Sequence, residues 1–296
     1  MVVLGLVLAV LAAASNATSN VLQRLANKQE SPEVSFSPRL IWDLIHRKVW
    51  LAGLGTTTLS FLLQAAALSF AALAAVQPLI ALELPLTLVG SSWVLGAQLH
   101  RREWVTIALM TGGLGMLIGF LHPAPVAHLH FSNLGWVVGL AAGEGLVLAF
   151  AGAAHLSHDW KRAAFFGAAA GLQFGLTAVI MKETMSVLPS GIGPLFSHWS
   201  TYALGASGLA AMLLVQAALN AGRLVAAQPG ITLLDPLVAI LWGVVGFHES
   251  IAGGLFLVAA GVGAVLMVAG AIGLSSSPVL HDGGNQADKE RAAAST

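Results

Sequence analysis

The sequence contains no cysteine, and charged side chains make up only 9% of its 296 residues. The lack of cysteine excludes disulfide bonds, thiolate metal sites and cysteine nucleophiles. The scarcity of charge excludes an ordinary soluble domain, which carries roughly 25% charged residues. Because 13 basic and 13 acidic side chains cancel, the sequence offers no basic face for a nucleic acid. It has neither a P-loop nor a serine nucleophile elbow, so we expect no ATP-driven pump, no enzyme and no cofactor.

Apolar residues are abundant instead: 57% of the chain is hydrophobic and the mean hydropathy is +0.83. A helix needs roughly 20 mostly apolar residues to cross a bilayer, and nine stretches meet that length. The sequence therefore predicts an all-α polytopic membrane protein with the lipid bilayer as its solvent. The nine predicted spans are 2–25, 49–71, 73–98, 104–121, 132–153, 162–182, 197–219, 223–246 and 251–273.

Basic residues are distributed unevenly between the two sides of these spans. Twelve of the 13 Lys and Arg residues fall on one side, and Lys182 alone falls on the other. Since basic residues are enriched in cytoplasmic loops, we expect a plasma-membrane protein with its N-terminus outside and its C-terminus in the cytoplasm. The twelve are Arg24, Lys28, Arg39, Arg47, Lys48, Arg101, Arg102, Lys161, Arg162, Arg223, Lys289 and Arg291.

The sequence also contains an internal repeat at a shift of 151 residues. The Gln-Pro pair at 77–78 aligns with that at 228–229, and Pro-Leu at 85–86 aligns with Pro-Leu at 236–237. Eleven of the 24 positions from 65 to 88 are identical in the two copies. Two prolines and one glutamine in register favour true duplication over shared composition.

The predicted architecture is two inverted four-helix repeats joined by one linking helix. A single helix between the copies makes the second enter the membrane from the opposite side, which is an architecture of secondary transporters. We predict a first repeat at 1–121 with a polar cytoplasmic segment at 26–48, an outer loop and linking helix at 122–154, a second repeat at 155–274, and a disordered tail at 275–296. The polar segment also has the pattern of a short interfacial helix.

The residues that resemble those of a known family lie mainly in the second copy of the repeat. It combines an Ala-Ala-Leu helix at 217–219, the proline-containing segment 228–237, Phe-His-Glu at 247–249 and a Gly-rich helix at 253–270. In this combination the chain resembles the drug/metabolite transporter (DMT, EamA-like) superfamily. The resemblance implies a secondary transporter, or permease, and leaves the substrate open.

The resemblance is clearest over 49–121 and 197–274, and the chain departs from the superfamily pattern at two points. Nine spans replace the usual ten, because the polar stretch 27–48 stands where the first copy would have its second helix. Gln98 stands in the first copy where the second has Glu249. A nine-helix layout is similar to that of the NIPA-like magnesium transporters, a branch of the same superfamily, which would imply a divalent cation as substrate.

Three acids lie near the centres of predicted spans: Glu83, Glu144 and Asp235. A carboxylate at mid-bilayer costs roughly 2.5–3.5 kcal/mol on insertion scales, so each should face a cavity or a partner. Glu83 and Asp235 lie one position apart in the repeat alignment, and we expect them close together as transport or coupling carboxylates. For a divalent substrate all three are candidate oxygen ligands, since Mg²⁺ prefers carboxylates and retained waters. The alternative is that these acids have no role in transport and only form hydrogen bonds between packed helices.

Proline and amide residues extend this candidate site. The matched prolines, Pro78 and Pro85 in one copy and Pro229 and Pro236 in the other, remove backbone donors and should open both helices at matching depths. The carbonyl groups freed by proline would coordinate a cation or let the helices bend. The alternative is that neighbouring helices hydrogen-bond these carbonyls and that the proline kinks have no function. Amides at helical spacing are expected to line the solute path or to bond a neighbouring helix. The cavity-lining candidates are Asn16, Asn20, Gln23, Gln64, Gln77 and Gln228.

Glycines in the predicted helices would let the helices approach closely, inside the bundle or in a homodimer. The candidates are Gly112, Gly115, Gly119, Gly261, Gly263 and Gly270.

The sequence leaves three candidate functions, in order of preference. The first is a secondary transporter that moves a small solute by alternating access, the second is a NIPA-like divalent-cation transporter, and the third is a non-transporting membrane subunit.

Overall fold

The computed structural model describes residues 1–28, 48–96, 98–124, 132–221 and 224–276. Within these ranges the protein is helical and has no β-strand; Ala124 and Ser250 form one isolated antiparallel bridge. The predicted interfacial helix within 27–48 and the predicted tail beyond residue 276 lie outside the described residues.

Eleven α-helices make up the described part of the chain. They are α1 (Val2–Lys28), α2 (Lys48–Phe70), α3 (Leu73–Ile80), α4 (Glu83–Leu95), α5 (Arg101–Leu121), α6 (Asn133–His155), α7 (Asp159–Val187), α8 (Ile192–Ser197), α9 (Trp199–Asn220), α10 (Leu224–Val245) and α11 (Leu255–Ser275). A 3₁₀ turn, Leu188–Ser190, follows α7.

The predicted number of spans is confirmed: nine segments of the described residues are long and apolar enough to cross a membrane. Helices α3 and α4 together form the third, Leu73–Val94. The sixth, Asp159–Ser190, extends beyond the predicted end at Lys182. Helix α7 continues past this charged residue because Lys182 finds a partner inside the bundle.

The helices run between two ends of the bundle. The Glu249 end contains the turn between α2 and α3, the last turns of α7 and the connection from α10 to α11, and Lys182 Nζ donates there to Ala71 O at 3.0 Å. The Arg101 end contains the last turn of α1 and the start of α5. These two names are used below for the two sides of the protein.

Proline has different consequences in the two copies. In the first, α3 ends at Ile80 and α4 begins at Glu83, with two turn residues between them. In the second, α10 runs without interruption through Pro229 and Pro236. The expectation that both helices open is therefore wrong for α10.

Helix α10 packs closely on α7 along the segment that contains Pro229. A Cβ atom at Gly171 would lie 3.0 Å from Ile231 Cα, and one at Gly167 would lie 2.7 Å from Ala227 Cα. The backbones of α7 and α10 are therefore in direct contact.

Helix packing follows a regular pattern. Helix α1 packs on α2 and on the broken span formed by α3 and α4, while α7 packs on α9 and α10. Helix α5 packs on α11, α3 packs on α10, and α6 packs on α7. The core therefore consists of two groups of helices, α1–α5 and α6–α11. The groups contact each other through the pairs α5–α11, α3–α10 and α2–α7.

Glycine makes the contact between α5 and α11 possible. A Cβ at Gly263 would lie 2.5 Å from Leu117 N and 2.7 Å from Gly113 O. Gly270 likewise meets Met110, so the predicted close contact is confirmed at Gly263 and Gly270. It is not found at four other positions, where a Cβ would meet no atom of the protein within 4 Å; these are Gly112, Gly115, Gly119 and Gly261.

Two substitutions on α11 test this packing. Gly263→Ala should destabilise the protein by about 1–3 kcal/mol, because the new methyl group overlaps backbone atoms of α5. Gly261→Ala is the matched control and should leave the stability unchanged or raise it slightly, because the site is open and alanine favours helix. Thermal unfolding in detergent measures both, and equal unfolding temperatures would contradict the α5–α11 contact.

Candidate functional site

Glu83 lies where the third span is interrupted. It is the first residue of α4, and its carboxylate accepts a hydrogen bond from the side-chain amide of Asn16 on α1. The N-terminus of a helix carries a partial positive charge, so this position favours a carboxylate. The helix break thus places an acid between α1 and α4 within the membrane-spanning part of the bundle.

Asp235 is held by a chain of two amides. Gln77 Nε2 on α3 donates to Asp235 Oδ1 on α10 at 2.8 Å. Gln64 Nε2 on α2 donates in turn to Gln77 Oε1 at 2.8 Å. Gln77 is buried and therefore bridges the two groups of helices from within the core.

These residues form one site, which we call the carboxylate site: Asn16, Gln64, Gln77, Glu83 and Asp235. Gln77, which bonds Asp235, lies six residues before Glu83, and the break in the third span stands between them. Within the described parts of the chain neither acid forms an ion pair, since the ion pairs found there involve Glu103 and Glu249. Among the described residues the site therefore combines two acids with amide groups and has no basic partner.

Glu144 belongs to a different network. Gln173 Nε2 donates to Glu144 Oε1 and to Ser207 Oγ, each at 2.9 Å, which links α6, α7 and α9. No group of three His, Asp or Glu side chains among the described residues is arranged to hold a metal ion. The structure thus bonds Glu83 to α1, Asp235 to α3 and Glu144 to α7.

The other predicted amides have mixed positions. Asn16 reaches the carboxylate site, and Asn20 is half-buried one turn further along α1. Gln23 is exposed and donates to Ser19 Oγ at 2.9 Å within α1. Gln228 donates to Thr232 Oγ1 at 3.4 Å within α10, so it does not repeat the bridging role of Gln77.

Sequence reasoning missed a buried ion pair, Lys182–Glu249, which we call the clamp. Lys182 Nζ lies 2.8 Å from Glu249 Oε1, and Glu249 is only 3% exposed. The same carboxylate accepts hydrogen bonds from the backbone amides of Leu73 at 2.5 Å and Ala74 at 2.9 Å, in the first turn of α3. The available signal was that Lys182 is the lone basic residue on its side of the predicted membrane.

The clamp joins three segments at the Glu249 end. Lys182 belongs to α7, Glu249 to the connection between α10 and α11, and Leu73 to the start of α3. Lys182 Nζ also lies 5.4 Å from the ring centroid of Phe247, which adds a cation–π contact. The two groups of helices are therefore tied together at this end by one carboxylate.

Aromatic side chains pack beside the clamp. Trp136 of α6 stacks on Trp242 of α10 with ring centroids 5.3 Å apart, and its edge contacts Phe247 at 5.9 Å. The position of Trp136 near a helix end predicts an anchor at the membrane interface, but the residue is buried in this cluster. The aromatic cluster shields the clamp from one side.

Removal of one partner tests the clamp. Lys182→Met should destabilise the protein by about 3–5 kcal/mol, because the Glu249 carboxylate would remain buried without a cation. Lys161→Met is the matched control, because Lys161 is exposed at the Arg101 end and its loss should cost little. Thermal unfolding of both variants in detergent gives the comparison, and equal stability would show that the clamp contributes nothing.

No protein-family model matches the chain, and no solved structure matches it. Among curated proteins, an uncharacterized protein of Corynebacterium glutamicum is 29% identical to it over 238 residues. The aligned region covers 79% of this chain and 82% of that protein. The chain is therefore similar to a bacterial protein over most of both lengths.

Proposed function

We propose that this protein is a secondary transporter that moves a small solute across the plasma membrane by alternating access. The observation that carries the proposal is the carboxylate site, in which amides of neighbouring helices hold Glu83 and Asp235 between membrane spans. Among the described residues neither acid has a basic partner. An acid inside a membrane span has a high free-energy cost, and such acids typically belong to substrate or ion pathways. A membrane subunit that only packs against others has no need of them.

The broken third span supports the same function. Discontinuous helices in transporters place helix ends and polar groups at a binding site near the middle of the membrane. Here the break lies between Ile80 and Glu83, so the acid is at the start of a half-helix. The site can bind a solute through amides and carboxylates, and the two acids can exchange a proton with it.

The packing of the helices supports an inverted repeat. The contacts of α1 with α2 and with α3–α4 correspond to those of α7 with α9 and α10. Matching hydroxyl pairs connect these helices: Ser19 Oγ lies 2.6 Å from Thr57 Oγ1, and Thr177 Oγ1 lies 2.7 Å from Ser207 Oγ. Two halves related in this way would rock against each other around the carboxylate site.

The clamp supports alternating access, because it closes one end of the bundle. In the structure Lys182 and Glu249 hold α3 and α7 together at the Glu249 end. Transport to that end would require Glu249 to leave the first turn of α3. The distribution of basic residues favours an orientation with the Glu249 end outside the cell and the Arg101 end in the cytoplasm.

A divalent-cation transporter is the second candidate and rests on the same two acids. Two carboxylates that have no basic partner among the described residues suit Mg²⁺, which retains several waters and accepts few protein ligands. In this version the ligands are Glu83 and Asp235, because Glu144 bonds Gln173 in a separate network and no group of three acids among the described residues could hold a metal ion. The superfamily resemblance is compatible with either substrate.

Flux through proteoliposomes tests the function. Glu83→Gln and Asp235→Asn should each lower flux roughly 10- to 100-fold, because each removes a charged contact, while folding and insertion stay intact. Glu144→Gln is the matched control, because this acid lies outside the carboxylate site, and it should retain flux. A mixture of small solutes with a pH gradient and an internal pH dye measures proton-coupled transport, and an internal Mg²⁺ dye measures cation transport.

The outcome separates the candidates. Flux driven by the pH gradient without added metal supports proton-coupled solute transport. Flux that saturates with Mg²⁺ and ignores the gradient supports the cation transporter. Wild-type rates in both the Glu83→Gln and the Asp235→Asn variants would show that these acids are structural, and absence of any flux would favour a non-transporting subunit.

A further inference from the structure

A cavity of about 330 Å³ lies between α6 and α10, away from the carboxylate site. Both helices pack on α7, which forms the floor of the cavity through Leu172 and Leu176. On the walls, Leu146 of α6 is 47% exposed and Leu241 of α10 is 62% exposed. The cavity therefore opens sideways between two membrane spans, and we call it the lateral groove.

The lining of the lateral groove is apolar. It consists of Gly, Ala, Leu and Val residues and one tryptophan, Trp242. Ligand pockets in proteins measure roughly 300–1,000 Å³ and usually contain a few polar groups that orient the ligand. The described residues that line this groove offer no charged, hydroxyl or amide side chain. A polar solute would find no partner here, whereas a hydrocarbon chain needs none.

The groove is elongated along its two wall helices. Its lining on α6 extends from Gly139 to Leu146, and its lining on α10 extends from Val238 to Val245. At a rise of about 1.5 Å per helical residue, each of these segments is roughly 10 Å long. An apolar slot of this length fits a segment of an extended alkyl chain better than it fits a compact solute.

The depth of the groove corresponds to one leaflet of a bilayer. Helix α6 begins at the Glu249 end, where Trp136 contacts Phe247, and α10 ends there at Val245. The lining segments thus lie in the halves of both spans that are nearest to this end. Since the hydrocarbon core is about 30 Å thick, each leaflet provides about 15 Å of acyl chain. The open side of the groove therefore faces the acyl chains of the leaflet at the Glu249 end.

Trp242 connects the groove to the aromatic cluster beside the clamp. Its indole ring packs against α6, where a Cβ atom at Gly139 would lie 2.5 Å from Trp242 Cη2. The same ring stacks on Trp136, which contacts Phe247, and Phe247 lies against Lys182 Nζ. A chain in the groove would therefore contact the aromatic cluster that packs on the clamp.

We propose that the lateral groove binds one acyl chain of a membrane phospholipid from the leaflet at the Glu249 end. The bilayer supplies such chains at this depth, and a chain in the groove gives the apolar walls the dispersion contacts that an empty groove would lack. Because the chain also packs on Trp242, it supports the aromatic cluster while the clamp is closed. The inference goes beyond the proposed function, since binding of a lipid requires neither a solute nor flux.

Photo-crosslinking tests this site. The protein is reconstituted in phosphatidylcholine vesicles that contain a phosphatidylcholine with a diazirine on one acyl chain, and the labelled residues are mapped by mass spectrometry after irradiation. Gly143 and Val238 line the groove and are half-buried, so they should be labelled by a chain inside it. Leu213 of α9 is 60% exposed and should be labelled by ordinary bilayer contact.

A substitution that fills the groove provides the decisive comparison. Ala142 is an exposed residue of the lining, so Ala142→Phe should lower the labelling of Gly143 and Val238 at least about tenfold and leave that of Leu213 unchanged. Ala141→Phe is the matched control, because Ala141 is also exposed on α6 but is not part of the lining. It should be labelled like the wild type, and the smaller Ala142→Leu should give an intermediate value.

Thermal unfolding gives a second measure of the same site. Addition of phosphatidylcholine to the protein in detergent should raise the unfolding temperature of the wild type and of Ala141→Phe, because a ligand that binds the folded state stabilises it. Ala142→Phe should gain less from the lipid, since its own side chain occupies the groove. Equal gains in all three proteins would contradict a chain bound at this place.

The proposal is overturned if Gly143 and Val238 stay unlabelled in the wild type while Leu213 is labelled, or if Ala142→Phe is labelled as strongly as the wild type. Unlabelled groove residues together with a dimer in light scattering would show that a second copy of the chain covers the groove instead. Flux without groove labelling would keep the transporter and discard the lipid site. Groove labelling without flux would keep the lipid site and discard the transporter.

Discussion

The structure depends on one constraint: a polar group inside a membrane-spanning bundle needs a partner within the protein, because lipid offers none. Asp235 meets this need through Gln77 and Gln64, and Glu83 through Asn16. Glu249 meets it with a cation and two backbone amides. Apart from the Gln64–Gln77 bond between consecutive helices, these contacts join segments that are distant in sequence. The requirement to satisfy polar groups therefore also constrains how the spans are arranged.

Helix α3 connects the two most polar places in the bundle. Its first turn is held by Glu249, and its second turn carries Gln77, which holds Asp235. Helix α3 is only 8 residues long and ends at the break before Glu83. In the proposed transport cycle, separation of Lys182 from Glu249 would shift Gln77 relative to Asp235. Opening of the Glu249 end would therefore change the hydrogen bonding in the carboxylate site.

Sequence alone predicted the number of spans, because it depends on local hydropathy. That Glu83 and Asp235 are transport carboxylates stays a prediction. The sequence also predicted that Gly263 and Gly270 allow close packing. It did not predict the clamp, because the pairing of Lys182 with Glu249 depends on how α7 and the α10–α11 connection meet in space. The same reason applies to Gln77 and Gln228, which occupy equal positions in the repeat yet bond differently. It also applies to α10, which is one uninterrupted helix despite two prolines.

Ligand-induced stabilisation of the purified protein tests the central claim most directly. A ligand present at 100 times its dissociation constant stabilises the folded state by about 2.7 kcal/mol. A panel of small solutes and divalent cations is screened by thermal unfolding against the wild type and against a Glu83→Gln/Asp235→Asn double variant. The account predicts at least one compound that raises the unfolding temperature of the wild type and leaves that of the double variant unchanged. Equal stabilisation of both proteins by every active compound, or stabilisation of neither, would contradict it.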